Sequence, residues 1–194
     1  MDRVGFNAIT DSKNLMMKPK QVQLALWRRM ILAALRVKVR FSDVDALTSS
    51  APMILTCNHQ SLLDGLILAF ACPTKMVFPV TPKHSVDNVF TSYGLRLLEW
   101  LGLGWVVPMN SNHPYALRHL QRALEAGRSV AIFPEGRIAR PEEQLPHRAG
   151  VQWLQDRTGA PVVRARLTGA DQSRLFARAG TRFRPEITLD LGGG

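Results

Sequence analysis

Thr56-Cys57-Asn58-His59-Gln60-Ser61-Leu62-Leu63-Asp64-Gly65 lies between two apolar runs, Met53-Ile54-Leu55 before it and Leu66-Ile67-Leu68-Ala69 after it. The first run has the length of a buried strand, and the second continues long enough to read as a helix. The polar decapeptide is therefore the turn at which a strand hands over to a helix. Apolar strands leading into helices in this way are the signature of an α/β sheet covered on both faces.

The same alternation continues along the chain. Val37–Phe41, Pro52–Cys57, Met76–Val80, Trp105–Pro108, Ser129–Phe133, Pro161–Leu167 and Glu186–Leu191 read as strands. Leu62–Ala71, Val86–Leu101, Pro114–Ala126 and about His147–Thr158 read as helices, with Gly127 and Gly159 as C-terminal stops. The fold class is thus α/β, with a mixed sheet of about seven strands flanked by helices. Ahead of it, from Pro19 to Leu35, apolar residues (Val22, Leu26, Trp27, Met30, Ile31, Leu35) alternate with Lys20, Arg28, Arg29 and Arg36 at helical spacing. Such a basic amphipathic helix suits a membrane interface, and equally an ordinary helix packed on its own domain. The expected organisation is an amphipathic, membrane-proximal segment over 1–36, an α/β domain over 37–191 and a tail or linker over 192–194.

A chain of 194 residues with 46% hydrophobic and 21% charged content is globular. Cys57 and Cys72 have no partners at metal-binding spacing, so neither a zinc site nor a disulfide framework is expected. No apolar stretch reaches the ~18–20 residues that span a bilayer. The net charge of +10 is uneven: residues 1–40 hold nine Lys/Arg against two Asp, and residues 137–184 hold ten Arg against four acidic residues. Blocks of this sign suit lipid headgroups, an acidic carrier protein or nucleic acid, and also occur as plain solvated surface. No nucleic-acid-binding motif accompanies the charge.

In open α/β sheets, sites gather beyond the carboxyl ends of strands. Asn58-His59, the stretch from Pro108 to Asn112, and Pro134-Glu135-Gly136-Arg137 all follow strands. His59 is suited to taking a proton near neutral pH, and a carboxylate on its other ring nitrogen would fix the tautomer and stabilise the imidazolium. Residues five apart diverge on a continuous helix, so His59 and Asp64 meet only if His59 precedes the helix and Asp64 faces back from its first turn. Ser61 as N-cap with Asp64 at N3 is also a capping box, which needs no catalytic role. In the later block, Gly136 allows a tight turn or close approach to a ligand. Arg137 offers planar donors for a phosphate, and Glu135 could orient a substrate hydroxyl or hold Arg137. Read alone, that block is also a plain β-turn with a salt bridge. His84, His113, His119 and His147 have no partner at catalytic spacing.

Taken together, Asn58-His59-Gln60-Ser61-Leu62-Leu63-Asp64 and Phe133-Pro134-Glu135-Gly136-Arg137 resemble the glycerolipid acyltransferase family, which includes lysophosphatidic acid acyltransferases. That family carries an Asn-His-x4-Asp block and a later Phe-Pro-Glu-Gly block. Asn-His-x-Ser-x-x-Asp-Gly, Phe-Pro-Glu-Gly-Arg-Ile and the Arg166-Leu167-Thr168-Gly169-Ala170 ending are most similar to the acyltransferase domain of bacterial 2-acylglycerophosphoethanolamine acyltransferase/acyl-carrier-protein synthetases. In those proteins an adenylate-forming domain follows, so the likeness implies fusion to, or pairing with, an acyl-ACP synthetase domain. Many lysophosphatidic acid enzymes carry an arginine in a middle block. Here Val106-Val107-Pro108-Met109-Asn110-Ser111 has none, which favours an acceptor larger than a bare phosphomonoester.

The resemblance implies acyl transfer from acyl-ACP or acyl-CoA, as co-substrate, to a lysophospholipid hydroxyl. His59 and Asp64 would be catalytic, while Asn58, Glu135, Gly136 and Arg137 would bind substrate. No cofactor or metal would be needed. Backbone N–H groups near Ser61 are candidate oxyanion donors. The expected partners are the lysophospholipid, the carrier or coenzyme A thioester and a membrane surface, with no nucleic acid. The expected location is the cytoplasmic face of the inner membrane, peripherally bound. Arg174, Arg178, Arg182 and Arg184 would suit an acidic carrier, and the Trp100–Trp105 run could line an acyl tunnel or touch the bilayer. The alternatives are a 1-acylglycerol-3-phosphate acyltransferase and a catalytically silent lipid- or carrier-binding module.

Overall fold

The structure, a computed structural model, describes residues 22–80, 99–108, 115–138 and 149–192. In chain order these form α1 (Leu26–Ala34), β1 (Val37–Phe41), α2 (Val44–Thr48), β2 (Ile54–Cys57), α3 (Asp64–Ala71), β3 (Met76–Val80) and β4 (Gly104–Pro108). They continue with α4 (Tyr115–Glu125), β5 (Ser129–Ile132), α5 (Gly150–Thr158), β6 (Val162–Thr168), a 3-10 turn (Ala170–Gln172) and β7 (Ile187–Leu191). The seven strands make one sheet in the order β1-β7-β6-β2-β5-β3-β4. Every neighbouring pair is parallel except β6 with β7, so the sheet is mixed, as expected from the sequence.

Two cores sit on opposite faces of this sheet. On one, Leu32 of α1, Leu47 of α2 and the side chains of α3 pack on Leu55, Cys57, Leu167, Leu189 and Leu191. The α3 sequence Asp-Gly-Leu-Ile-Leu-Ala-Phe-Ala is apolar nearly all round because six of its eight residues are buried. On the other face, Leu120 and Leu124 of α4 and Leu154 of α5 close over Ile54, Val77 and Val130. Leu117, Leu120 and Leu124 recur at helical spacing, which is what aims α4 at the sheet. Fully burying one such leucine stabilises a fold by roughly 1.5–3 kcal/mol, so these two stripes hold both helices in place.

The expected helix from Pro19 is shorter where it is described: Val22–Ala25 is not helical, and α1 begins at Leu26 after an extended Ala25 (ψ 144°). Residues 1–21, most of the expected 86–101 helix, Met109–Asn112 of the middle block, and His84, His113 and His147 lie outside the described residues. His119 is exposed on α4. The short helix α2 carries too little apolar periodicity to be read from sequence, and Asp43 caps it by accepting from Ala46 N–H at 3.0 Å. Trp105 stands second in the edge strand β4, at the end of the sheet opposite the Asn58–Asp64 turn, under the Arg128 guanidinium at 4.8 Å. That position does not suit the acyl-tunnel reading, and Trp100 is 81% exposed. No helix among the described residues is long and apolar enough to cross a membrane.

Candidate active site

The carboxyl end of β2 breaks into a turn at Asn58, and β2 lies between β5 and β6 in the sheet. The turn is built around one carboxylate. Asp64, the first residue of α3, has no exposed surface. Its Oδ2 accepts from Gln60 N–H at 2.5 Å, Ser61 N–H at 2.8 Å and His59 Nδ1 at 3.0 Å, while Oδ1 accepts from the Ser61 hydroxyl at 2.6 Å. A carboxylate can only accept, so Nδ1 is the donor, and in the neutral ring Nε2 presents its lone pair. His59 Nε2 has no hydrogen-bond partner among the described residues, and the side chain is 20% exposed.

The geometry required by the five-residue spacing is thus met: His59 lies before the helix and Asp64 faces back to it. The expected capping box is not formed: regular helix begins at Asp64 after Leu63, so Asp64 is not at N3, and Ser61 Oγ accepts from Leu63 N–H at 3.2 Å rather than from Asp64 N–H. Asp64 nonetheless accepts the Ser61 N–H, so one carboxylate holds both the turn and the imidazole. The expectation that amides near Ser61 serve an oxyanion is overturned, because Gln60 and Ser61 N–H go to Asp64, Leu62 N–H to Phe176 O and Leu63 N–H to Ser61 Oγ.

Asn58 does something different from the substrate contact expected of it. Its Nδ2 donates to Leu167 O at 2.9 Å and its Oδ1 accepts from Leu167 N–H at 2.7 Å. This two-point bond continues the β2–β6 ladder one step past Cys57 and so fixes where the turn leaves the sheet. The block after β5 is equally structural in part. Gly136 N–H bonds Phe133 O at 3.0 Å, and Gly136 takes φ 71°, a left-handed conformation that costs a side-chain-bearing residue about 1 kcal/mol or more. Glu135 then reaches across to accept the His59 backbone N–H at 2.8 Å. The Phe133 ring stacks on the His59 imidazole, with centroids 4.2 Å apart and planes 18° apart. The two motifs therefore meet at His59: Glu135 holds its backbone, Phe133 its ring face and Asp64 its Nδ1. Arg137, half-buried, follows on the same turn.

The role of Phe133 was not visible in the sequence, where it reads as the last apolar residue of a strand. The only signal the sequence offered was its place in the Phe133-Pro134-Glu135-Gly136-Arg137 block at a strand end. The loop from Ser173 to Arg182 also covers this turn, through the Leu62–Phe176 bond and a Ser61–Ala177 bridge. Upstream of that loop Gly169 takes φ 89°, where a Cβ would collide with the Glu186 carbonyl, which accounts for the glycine of the last block.

Neither thiol competes as a nucleophile. Burial holds the Cys72 thiol up at about 12. Burial first, and then the charge of Asp64, raises Cys57 well above the ordinary thiol value, and the thiol rather than the thiolate is a poor nucleophile.

A strand-end histidine with a buried aspartate behind Nδ1, and with Nε2 unbonded among the described residues, defines a site for general-base chemistry on an α/β sheet. The sequence profile of the Acyltransferase family matches residues 38–166, and the chain belongs to that family. Among solved structures it is similar to the crystal structure of the 1-acyl-sn-glycerophosphate (LPA) acyltransferase PlsC from Thermotoga maritima. The TM-score is 0.54 at 18% identity over 84% of this chain and 68% of that one, a likeness of fold.

Proposed function

We propose that the protein moves a fatty acyl group from an acyl thioester, carried by acyl carrier protein or coenzyme A, to the hydroxyl of a lysophospholipid. The observation that carries this reading is the 3.0 Å His59–Asp64 contact, with Asp64 buried and Nε2 open. His59 Nε2 takes the hydroxyl proton as the acceptor oxygen forms its bond to the thioester carbonyl carbon. The tetrahedral adduct then collapses, the carbon–sulfur bond breaks, and the departing thiolate takes the proton back from the imidazolium. Asp64 stabilises that imidazolium and keeps its ring oriented. Arg137 binds the acceptor phosphate, with Gly136 letting the backbone approach.

The surface of α1 supports a reading of membrane contact. Its outward residues Leu26, Met30 and Trp27 are 70%, 64% and 41% exposed beside the exposed Arg29, and Leu175 and Phe183 of the β6–β7 loop add apolar surface. These suit peripheral attachment on the cytoplasmic face of the inner membrane, where lysophospholipid is met. The absence of arginine from Val106 to Ser111 favours an acceptor with a larger headgroup than lysophosphatidate.

The test is a panel of lysophospholipids, 1-acylglycerol-3-phosphate included, crossed with acyl carrier protein and coenzyme A thioesters. Wild type is expected to form diacyl product with at least one pair, and His59→Ala to lose at least about a thousandfold in kcat/KM while keeping its melting temperature. Equal rates for the two proteins would sink the reading.

A further inference from the structure

Among the described residues, one face of the sheet is covered from β1 to β3, and the other across about half. On the second face α4 and α5 lie over β4, β3, β5 and β2 and reach only as far as Val162 at the start of β6. Beyond that point, residues in register share the face. Thr56 pairs with Arg164, Arg166 with Asp190 and Asp190 with Arg40, and Thr168 with Thr188 and Thr188 with Lys38. Arg164, Arg166, Thr168, Lys38 and Arg40 are exposed, alternating along their strands with core residues such as Val163, Ala165 and Leu167. No described element covers them.

A solvated sheet face is ordinary when its charges balance. This one sets Lys38, Arg40, Arg164 and Arg166 against two carboxylates, Asp190 and Glu186. Asp190 is 3.8 Å from Arg40, and Lys38 leans 3.9 Å toward Glu186, which Arg36 also holds at 2.6 Å. The guanidinium groups of Arg164 and Arg166 have no hydrogen-bond or ion-pair partner among the described residues. Arg166 and Arg40 flank Asp190 from its two sides, so one carboxylate faces two guanidinium groups, and an anionic partner offsets the excess positive charge.

Three observations choose the occupant. A second copy of this chain, at net +10, would bring the same basic face. The apolar residues offered to a bilayer sit on α1, whose core contacts are on the opposite face, so a bilayer held by α1 does not lie on the basic side. The Cys57–Ala165 pairing puts Arg166 level with Asn58, one residue from His59, so a tethered substrate arm from a partner seated here has a short path to the site.

We infer that the half-face of Lys38, Arg40, Arg164 and Arg166 is the docking surface for an acidic soluble protein that carries the acyl thioester. This rests on the acyl-transfer reading above. The test uses the full chain, an acidic acyl carrier protein as probe, and the double variant R164E/R166E. Binding of the carrier to wild type is expected to weaken with salt, and the variant to bind about tenfold or more weakly with an unchanged thermal melt and unchanged binding to anionic phosphatidylglycerol vesicles. With an uncharged N-acetylcysteamine thioester as donor, both proteins are expected to transfer acyl groups at equal rates. The binding arm judges the docking surface even if no donor supports transfer, and absence of transfer from every donor counts against the acyl-transfer reading alone. Carrier binding that is absent from wild type or indifferent to the variant overturns the inference, as does a variant that loses vesicle binding instead. Should R164E/R166E melt early, R164Q/R166Q replaces it with the same expectations.

Discussion

Asp64 and Glu186 each hold a basic side chain, His59 at 3.0 Å and Arg36 at 2.6 Å, in two very different regions. Asp64 is buried under α3 and receives four hydrogen bonds, from two backbone amides, a hydroxyl and an imidazole. Glu186 stands at the β1–β7 edge with its side chain 60% exposed, beside Arg36 and Lys38 that are also largely in water. The shorter contact is not the more consequential one. Water and salt compete for Glu186, and exposed pairs add little to stability. Asp64 has no exposed surface, so its donors lose a buried, charged acceptor if it is removed.

Asp64→Asn breaks the buried side of this contrast most sharply. Asparagine can keep its oxygen toward Gln60, Ser61 and His59 and turn its amide nitrogen to the Ser61 hydroxyl, so the turn survives while the charge behind the imidazole is gone. The expected result is a loss of about a thousandfold or more in kcat/KM with little change in melting temperature. Wild-type activity in this variant would mean that Asp64 holds the turn and does nothing else.

Glu135→Ala sharpens the same contrast through the backbone. It removes the acceptor at 2.8 Å from His59 N–H and leaves that amide poorly satisfied. A bond to a charged acceptor is worth about 1.5–3 kcal/mol, so a fall of about 10- to 100-fold in kcat is expected, with Glu135→Gln restoring most of it. If KM for the acceptor rises while kcat holds in both variants, Glu135 is a substrate ligand rather than a clamp.

The smallest effect is expected at Glu186→Gln. The Arg36 hydrogen bond first, and then the charges of Lys38 and Arg36, hold the Glu186 carboxyl below the usual range. A depressed carboxyl contributes stability above its unfolded-state pKa and loses it as pH falls through the folded value. Wild type and variant should therefore melt alike in moderate salt. Any difference seen at low salt near neutral pH should vanish on acidification. A large difference at neutral pH that survives high salt would place Glu186 with Asp64 rather than against it.

Much of the fold was legible because buried strands announce themselves. Ile54–Cys57, Met76–Val80 and Ser129–Ile132 are covered on both faces and so are apolar runs, and their ends in the structure lie within two residues of the sequence reading. Val162–Thr168 alternates instead, with Arg164 and Arg166 between buried residues, and period-two alternation marks a strand with one open face. That signal was present, but which side the arginines occupy depends on where α4 and α5 end, and no local pattern records it. The start of α1 was placed too early, since its apolar spacing persists through Val22 and Leu24 while the backbone there is not helical.

At the site, the residue types and their order along the chain were set by the sequence alone: a histidine and a carboxylate flanking a helix start, and a Pro-Glu-Gly-Arg turn after another strand. So were the basic charge and the burial expected of the apolar runs, because composition and periodicity are local properties. The strand order that brings β5 beside β2, the Asn58–Leu167 lock, the Glu135 bond to His59 and the Phe133 stack were decided by tertiary structure. Each joins residues more than seventy positions apart. Such contacts exist only once the sheet has paid the entropy of closing those loops, and nothing in the flanking sequence specifies which strand edge will be waiting.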